Sequence, residues 1–257
     1  MTGWTVHART AIATAIVLAA PVPAPAASDD GPSATPQRPS LTFNAATVPA
    51  GGTEIEVGAL FGPGAGALPV FAKYGLTDAL ELEAGIDAVR WVDGPDDGSA
   101  SIGDLLLGAR WRMTEATSKI QVAFGGWVKA PTAGDRRGSG EPDATVAAIA
   151  SMPLPHGLSI DANVWWSALG QDGGGALGQG QALATLGVPI VGRWSSFVGL
   201  AFQKTATAGD GGFVDAGVTY AASRTAVFDV AFGSGWSDGY PDWAVTAGWT
   251  LLVADGR

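Results

Sequence analysis

The sequence predicts an all-β fold: an antiparallel, up-and-down transmembrane β-barrel of about 12 strands. Three observations predict it. Apolar and polar residues alternate at period two along most of the chain, the signature of strands with two unlike faces. The alternating segments run for about ten residues, the length a tilted strand needs to cross a bilayer. The stretches between them alternate between long and short, as the loops and turns of an outer-membrane barrel do.

Composition agrees with that solvent. Of 257 residues, 15% are charged and 38 are glycine, whereas an ordinary soluble domain carries about 25% charge. No run approaches the roughly 18 apolar residues of a membrane helix. An excess of 24 acidic over 14 basic residues argues against a basic nucleic-acid partner. The absence of cysteine rules out a disulfide scaffold, and 47% hydrophobic residues can bury a core, which disordered chains cannot.

In chain order, residues 1–26 read as a secretory signal. His7 and Arg9 precede an apolar run from Ala11 to Ala20, broken only by Thr14, and Ala24-Pro25-Ala26 offers a cleavage site. Residues 27–52 form a leader, rich in Pro, Ser and Asp at its start, expected in the periplasm or partly in the lumen as a stopper. Residues 53–253 form the barrel. Its clearest strand is 79–89, where Leu80, Leu82, Ala84, Ile86 and Ala88 alternate with Glu81, Glu83, Gly85 and Asp87. The same split recurs at 103–113, 119–129 and 158–168, with Leu106, Trp127 and Trp165 departing from it. Weaker strands lie near 53–61, 68–74, 144–152, 180–190, 194–206, 212–221, 225–234 and 242–253.

The expected external loops are 62–67, 90–102, 130–143, 169–179, 207–211 and 235–241. The expected periplasmic turns are Gly75–Asp78, Glu115–Ser118, Pro153–Gly157, Gly192-Arg193 and Ala222–Arg224. Trp111, Trp194, Tyr220 and Trp243 fall near strand ends on the apolar face, where interfacial girdles sit.

Strand parity places Glu54, Glu56, Lys73, Glu81, Glu83, Asp87, Asp104, Arg110, Arg112, Lys129, Asp161, Asp215 and Asp229 on the inward face, with Gln121, Asn163, Gln181 and Gln203. Polar groups belong there, because an Arg or Lys facing lipid costs about 2–4 kcal/mol at the midplane. Two readings follow: charges that pair across the lumen and hold it rigid, or a narrow path whose charges select the solute. The acids cluster on the first four strands, with Arg110 and Arg112 within reach of the third. An acidic wall partly neutralised by an Arg pair predicts a modest cation preference.

Catalysis is not expected. A serine hydrolase needs a base, and the one histidine beyond the signal, His156, falls in a turn. One His and no Cys argue against a transition-metal site, and Asp93–Gly98 lacks the spacing of a calcium loop. No cofactor is expected. The partners are the outer-membrane lipid bilayer and a small-molecule solute. Two alternatives stay open: a structural or adhesive barrel that conducts nothing, and a soluble exported β-sandwich that binds a ligand.

Several stretches carry a resemblance: Arg38-Pro39-Ser40, Thr47–Gly52 leading into Thr53–Gly58, Lys73–Asp78 followed by Leu80-Glu81-Leu82, Gly103–Arg110, and Asp215–Tyr220. In this order the chain resembles the family of outer-membrane transporters labelled "MetA-pathway of phenol degradation". The resemblance implies an outer-membrane barrel carrying small aromatic or otherwise hydrophobic compounds, and it supplies no catalytic residues. The chain departs from the family at Gln37 and Ser40, where acids flank Arg-Pro. It departs again in ending on Ala254-Asp255-Gly256-Arg257 rather than on an aromatic residue.

Overall fold

A computed structural model describes residues 32–93, 100–133, 140–206, 210–237 and 239–255. The expected signal segment and most of the Asp93–Gly98 stretch lie outside them. Twelve strands follow in order: β1 (Gly52–Gly62), β2 (Ala65–Thr77), β3 (Leu80–Val92), β4 (Leu105–Arg112), β5 (Gln121–Ala130) and β6 (Asp143–Pro153), then β7 (Ser159–Gly170), β8 (Ala176–Val191), β9 (Trp194–Thr205), β10 (Asp210–Ala221), β11 (Ala226–Trp236) and β12 (Ala244–Asp255). Each pairs antiparallel with its neighbour in sequence. β12 closes on β1, with Gly58 opposite Gly248, to complete one barrel.

Closure is what separates this fold from a sandwich. The oily residues of each strand are not pressed between two sheets; they look outward. Leu82, Leu107, Phe124, Val146, Val164, Phe202, Phe228 and Phe232 are all exposed, forming the apolar belt a bilayer requires. Trp194 opens β9 and packs at a tilt against Tyr220 near the end of β10, ring centroids 4.8 Å apart. The soluble sandwich is therefore overturned.

Two expected connections are corrected. The predicted loop 62–67 is a tight turn of Pro63 and Gly64, with Gly64 at φ +66°. Glycine reaches that left-handed backbone without a Cβ penalty, so β1 and β2 stay paired almost to their tips. The predicted tight turn Glu115–Ser118 opens into the wider connection 113–120. His156 lies exposed in a single 3-10 turn, Pro155–Gly157.

The core sits inside the barrel and runs from Val48, Val227 and Leu252 near the short turns to Phe213 and Tyr240 at the loop end. Residues 32–51, which form no strand of the barrel, fold into this space, and Ala34, Arg38, Phe43, Ala45 and Val48 are buried there.

Candidate functional site

The leader enters the lumen at the turn end. Arg224, in the β10–β11 turn, donates to the Pro32 carbonyl at 2.7 Å, and Ala34 N–H donates to the Arg224 carbonyl at 2.8 Å. The leader meets the β1, β11 and β12 wall at Arg38, crosses to β5 and β7 at Phe43, and returns past β3 and β4. It leaves beside Asp78, whose carboxylate accepts Ala50 N–H at 3.0 Å, and continues into β1. The segment is a strap across the lumen, tied at both ends of its crossing.

Strand alternation puts the charged residues on this inner wall, and the strap supplies many of their partners. Lys73 on β2 faces Glu54 on β1 and pairs with it; it pairs with Glu56 at 2.8 Å and donates to the Thr35 carbonyl at 2.6 Å. Glu54 accepts Thr35 N–H at 2.6 Å, and Glu56 accepts Gln37 N–H at 2.8 Å. Arg110 on β4 stands opposite Glu81 on β3, pairs with it, and lies 3.3 Å from Glu83. It also donates to the Asn44 carbonyl at 2.7 Å, while Glu81 accepts Val48 N–H at 2.6 Å. Asp215 accepts Leu41 N–H at 3.2 Å. Asp161 accepts from Ser151, whose hydroxyl accepts Ala45 N–H at 2.8 Å. Such charge-assisted bonds are stronger than neutral ones.

At the crossing, two anchors differ in chemistry. Arg38 donates to Asp229 from Nε at 3.2 Å and from Nη2 at 3.0 Å, and from Nη2 to Thr246 at 2.7 Å. Its guanidinium lies against Gly58 and Gly248, and a Cβ on either glycine would collide with it. Phe43 is held by both backbone groups. Its N–H donates to Asn163 Oδ1 at 2.6 Å, and its carbonyl accepts from Asn163 Nδ2 at 2.8 Å. Its ring meets Trp127 and Trp165 edge-on, at 5.7 and 5.0 Å, and Arg110 lies 5.5 Å over it. Glu83 accepts the Trp127 indole N–H.

The loop-end half of the lumen is lined differently. Gln179 bonds Thr205 at 3.2 Å, Gln181 bonds Gln203 at 2.8 Å, and Thr145 shares a 2.8 Å bond with Ser167. Lys129 pairs with Asp143 and lies 3.9 Å from Asp104. Tyr240, in the loop between β11 and β12, packs on Phe213 at 5.4 Å, and burial pushes its hydroxyl up to about 12.

Of the inward residues expected from parity, Glu54, Glu56 and Lys73 form one ionic cluster and Glu81, Glu83 and Arg110 another. Asp161, Asp215 and Asp229 touch the strap or its neighbours. Asp104 and Lys129 lie together at the loop end; Asp87, also there, is partly exposed and lies 3.8 Å from Arg90. The expected Arg pair is corrected. Arg110 does neutralise the third strand's acids, but Arg112 donates to backbone carbonyls of Thr114 and Asp78 and to the Thr47 hydroxyl. A register that puts Arg112 across from Ala79, beside the turn, leaves it no acid opposite.

Sequence reasoning missed Arg38, Phe43, Thr246 and Ser151. It also treated Leu106, Trp127 and Trp165 as interruptions, although all three pack into the buried cluster around Phe43. The signal was present: large apolar residues on the polar face of a barrel strand need something apolar inside to meet.

The family model described as "Putative MetA-pathway of phenol degradation" matches residues 37–252. Comparison with curated proteins gives no match. Among solved structures, the chain is similar to the COG4313 outer membrane channel from Pseudomonas putida F1, at 15% identity and a TM-score of 0.62, covering 81% of this chain and 97% of that one. It is also similar to the KdgM porin in complex with disordered oligogalacturonate, at 8% identity and a TM-score of 0.59, covering 78% and 99%. The NanC porin follows at 7% identity and a TM-score of 0.57, covering 78% and 100%. At these identities the likeness is one of fold.

Proposed function

The chain belongs to the MetA-pathway of phenol degradation family, and from that premise we propose that it is an outer-membrane channel for passive uptake of small molecules, narrowed by its own N-terminal strap. The observation that carries this reading is an ionic interior enclosed by a closed wall whose outer face is apolar. The channel and porin folds it resembles support the same reading. The solutes are small molecules, aromatic compounds among them. Trp165 and Phe213 belong to a buried ring cluster on the inner wall, with Tyr240 packed against it, and the Gln181–Gln203 amide pair lines the same loop-end half, a mixture that suits amphipathic rings. The chain is exported, and its strand turns face the periplasm. No catalytic role is part of this reading, since His156 stands exposed in a turn, apart from the lumen.

Charge adds a direction. In the strapped half, Glu54, Glu56, Glu81, Glu83, Asp161, Asp215 and Asp229 outnumber Lys73, Arg110, Arg112 and Arg38. Rings of unbalanced carboxylates favour cations. The rival reading, a barrel that conducts nothing, draws on the same strap, because it fills the turn-end half.

Planar-bilayer recording and liposome swelling with the full protein decide between them. The expected result is a small conductance, a reversal potential favouring cations, and swelling that slows as solute size grows. Conductance that stays at background even after the strap's Arg38 and Phe43 contacts are removed, in Arg38→Ala with Phe43→Ala, establishes the non-conducting barrel instead. An anion-favouring reversal potential overturns the charge argument alone.

A further inference from the structure

Building on the strapped-channel reading, we propose that the lumen carries a binding site for guanidinium-bearing cations, filled in this structure by the protein's own Arg38. The site is a seat with a floor, a clamp and a side donor-acceptor. The floor is the glycine pair Gly58 and Gly248, opposite each other where β1 meets β12. No side chain rises from either, and any Cβ there would occupy the guanidinium's place. The clamp is the Asp229 carboxylate, which takes Nε and Nη2 on its two sides of one face, at 3.2 and 3.0 Å. The Thr246 hydroxyl accepts a further bond at 2.7 Å.

A planar, delocalised cation is what this shape fits. The guanidinium presents a flat face to the bare backbone and a fork of N–H groups to a carboxylate, whereas an ammonium is a compact point charge that satisfies neither. The seat is wholly enclosed, with Arg38 and the Asp229 side chain each 1% exposed. Yet the occupant does not use its full bonding capacity: among the described residues, Nη1 of Arg38 is buried without a hydrogen-bond partner. Arg38 therefore holds the seat through two of its three nitrogens, and the wall does not satisfy it completely.

The surrounding wall draws such a ligand in. Carboxylates exceed cationic side chains throughout the strapped half, so an incoming cation is favoured before it reaches the seat. A solute that seats itself on Asp229 displaces Arg38 and removes the strap's tie to β11 and β12 at the crossing, leaving the Phe43 contacts and the main-chain bonds to Glu54, Glu56, Asp215 and Glu81. Solute binding and local loosening of the strap at Arg38 are thereby coupled. Because Arg38 is tethered by a short segment, it competes at an effective concentration in the millimolar range. A free solute acts at about that concentration or above.

The test is single-channel recording of the full protein in planar bilayers, with N-acetylarginine amide as probe and N-acetyllysine amide as the matched ammonium. In the wild-type protein, millimolar arginine amide raises the mean current, and the lysine amide needs about tenfold more to do the same, the cost of one lost charge-assisted hydrogen bond. In Arg38→Ala, whose seat is empty, the arginine probe instead lowers the current by occupying it. In Arg38→Ala with Gly58→Val, the floor is filled and this block disappears. Heat-modifiable gel migration shows that each variant remains a folded barrel, and the wild-type arm needs no variant at all. Equal responses to the two probes, or a block that survives Gly58→Val, overturn the guanidinium seat while the channel reading stands. Membranes silent in every arm overturn the channel reading and the seat with it.

Discussion

The two halves of the lumen satisfy their polar groups by opposite means. Toward the loops, side chain meets side chain: Gln179 with Thr205, Gln181 with Gln203, Thr145 with Ser167. Toward the turns, wall oxygens reach inward to main-chain N–H groups of the strap, at Thr35, Gln37, Leu41, Phe43 and Val48. One half is complete as a wall. The other is complete only when residues 32–51 lie within it. Buried charges are tolerated when paired and hydrogen-bonded and are costly otherwise, so the strap and the acidic wall stabilise each other.

The largest effect that would break this contrast is at Arg110, enclosed by Glu81, Glu83 and the Asn44 carbonyl. Arg110→Ala strands two buried carboxylates and is expected to destabilise the folded barrel by about 3–5 kcal/mol. The shift of its unfolding midpoint, followed by gel migration in urea, measures this; an unchanged midpoint would mean that the wall does not depend on that pairing. Next comes Phe43→Ala. Loss of a buried Phe ring costs about 3–5 kcal/mol in a core, but here the expected expense falls on the strap's seating rather than on the wall. Swelling rates of loaded liposomes should rise while the barrel's urea midpoint moves less than in Arg110→Ala.

Smaller effects belong to the loop-end half. Gln181→Ala removes one neutral hydrogen bond and is expected to cost about 0.5–1.5 kcal/mol, with the strap undisturbed and swelling close to wild type. A large rise in swelling would show that the two halves are coupled. A last effect, confined to alkaline pH, is the titration of Tyr240. Its hydroxyl is raised to about 12 in the folded protein, against about 10 in an unfolded chain. The folded state therefore favours the neutral form. Its contribution is fully present below pH 10 and is lost as the pH rises toward 12. Absorbance near the phenolate band should show one tyrosine ionising late, and Tyr240→Phe should remove that late step.

The wall was legible in the sequence because it is built from local rules. Alternation in 79–89 alone separates Leu82, exposed on the outside, from Glu81 and Glu83, buried within. The same parity found Asp161, Asp215 and Asp229 on strands far apart in the chain. Connections were less legible. Gly- and Pro-rich composition at 62–67 suggested a loop, but strands can remain paired through such residues when one glycine makes the turn. The strap's site was hidden for another reason. Trp127 and Trp165 broke the period because they answer to Phe43, some eighty or more residues away in the chain, and nothing local announces that contact.

Residue order alone settles which side of each strand meets lipid and which meets the interior, since side-chain direction follows from backbone geometry one residue at a time. What fills that interior is set by the closed barrel. Glu81 meets Val48, Asp229 meets Arg38, and Gly58 lies across from Gly248 because β12 closes on β1. Closure brings together groups that share no local pattern. Their partners are set by the space the barrel encloses, and that space exists only after every strand has found its neighbour.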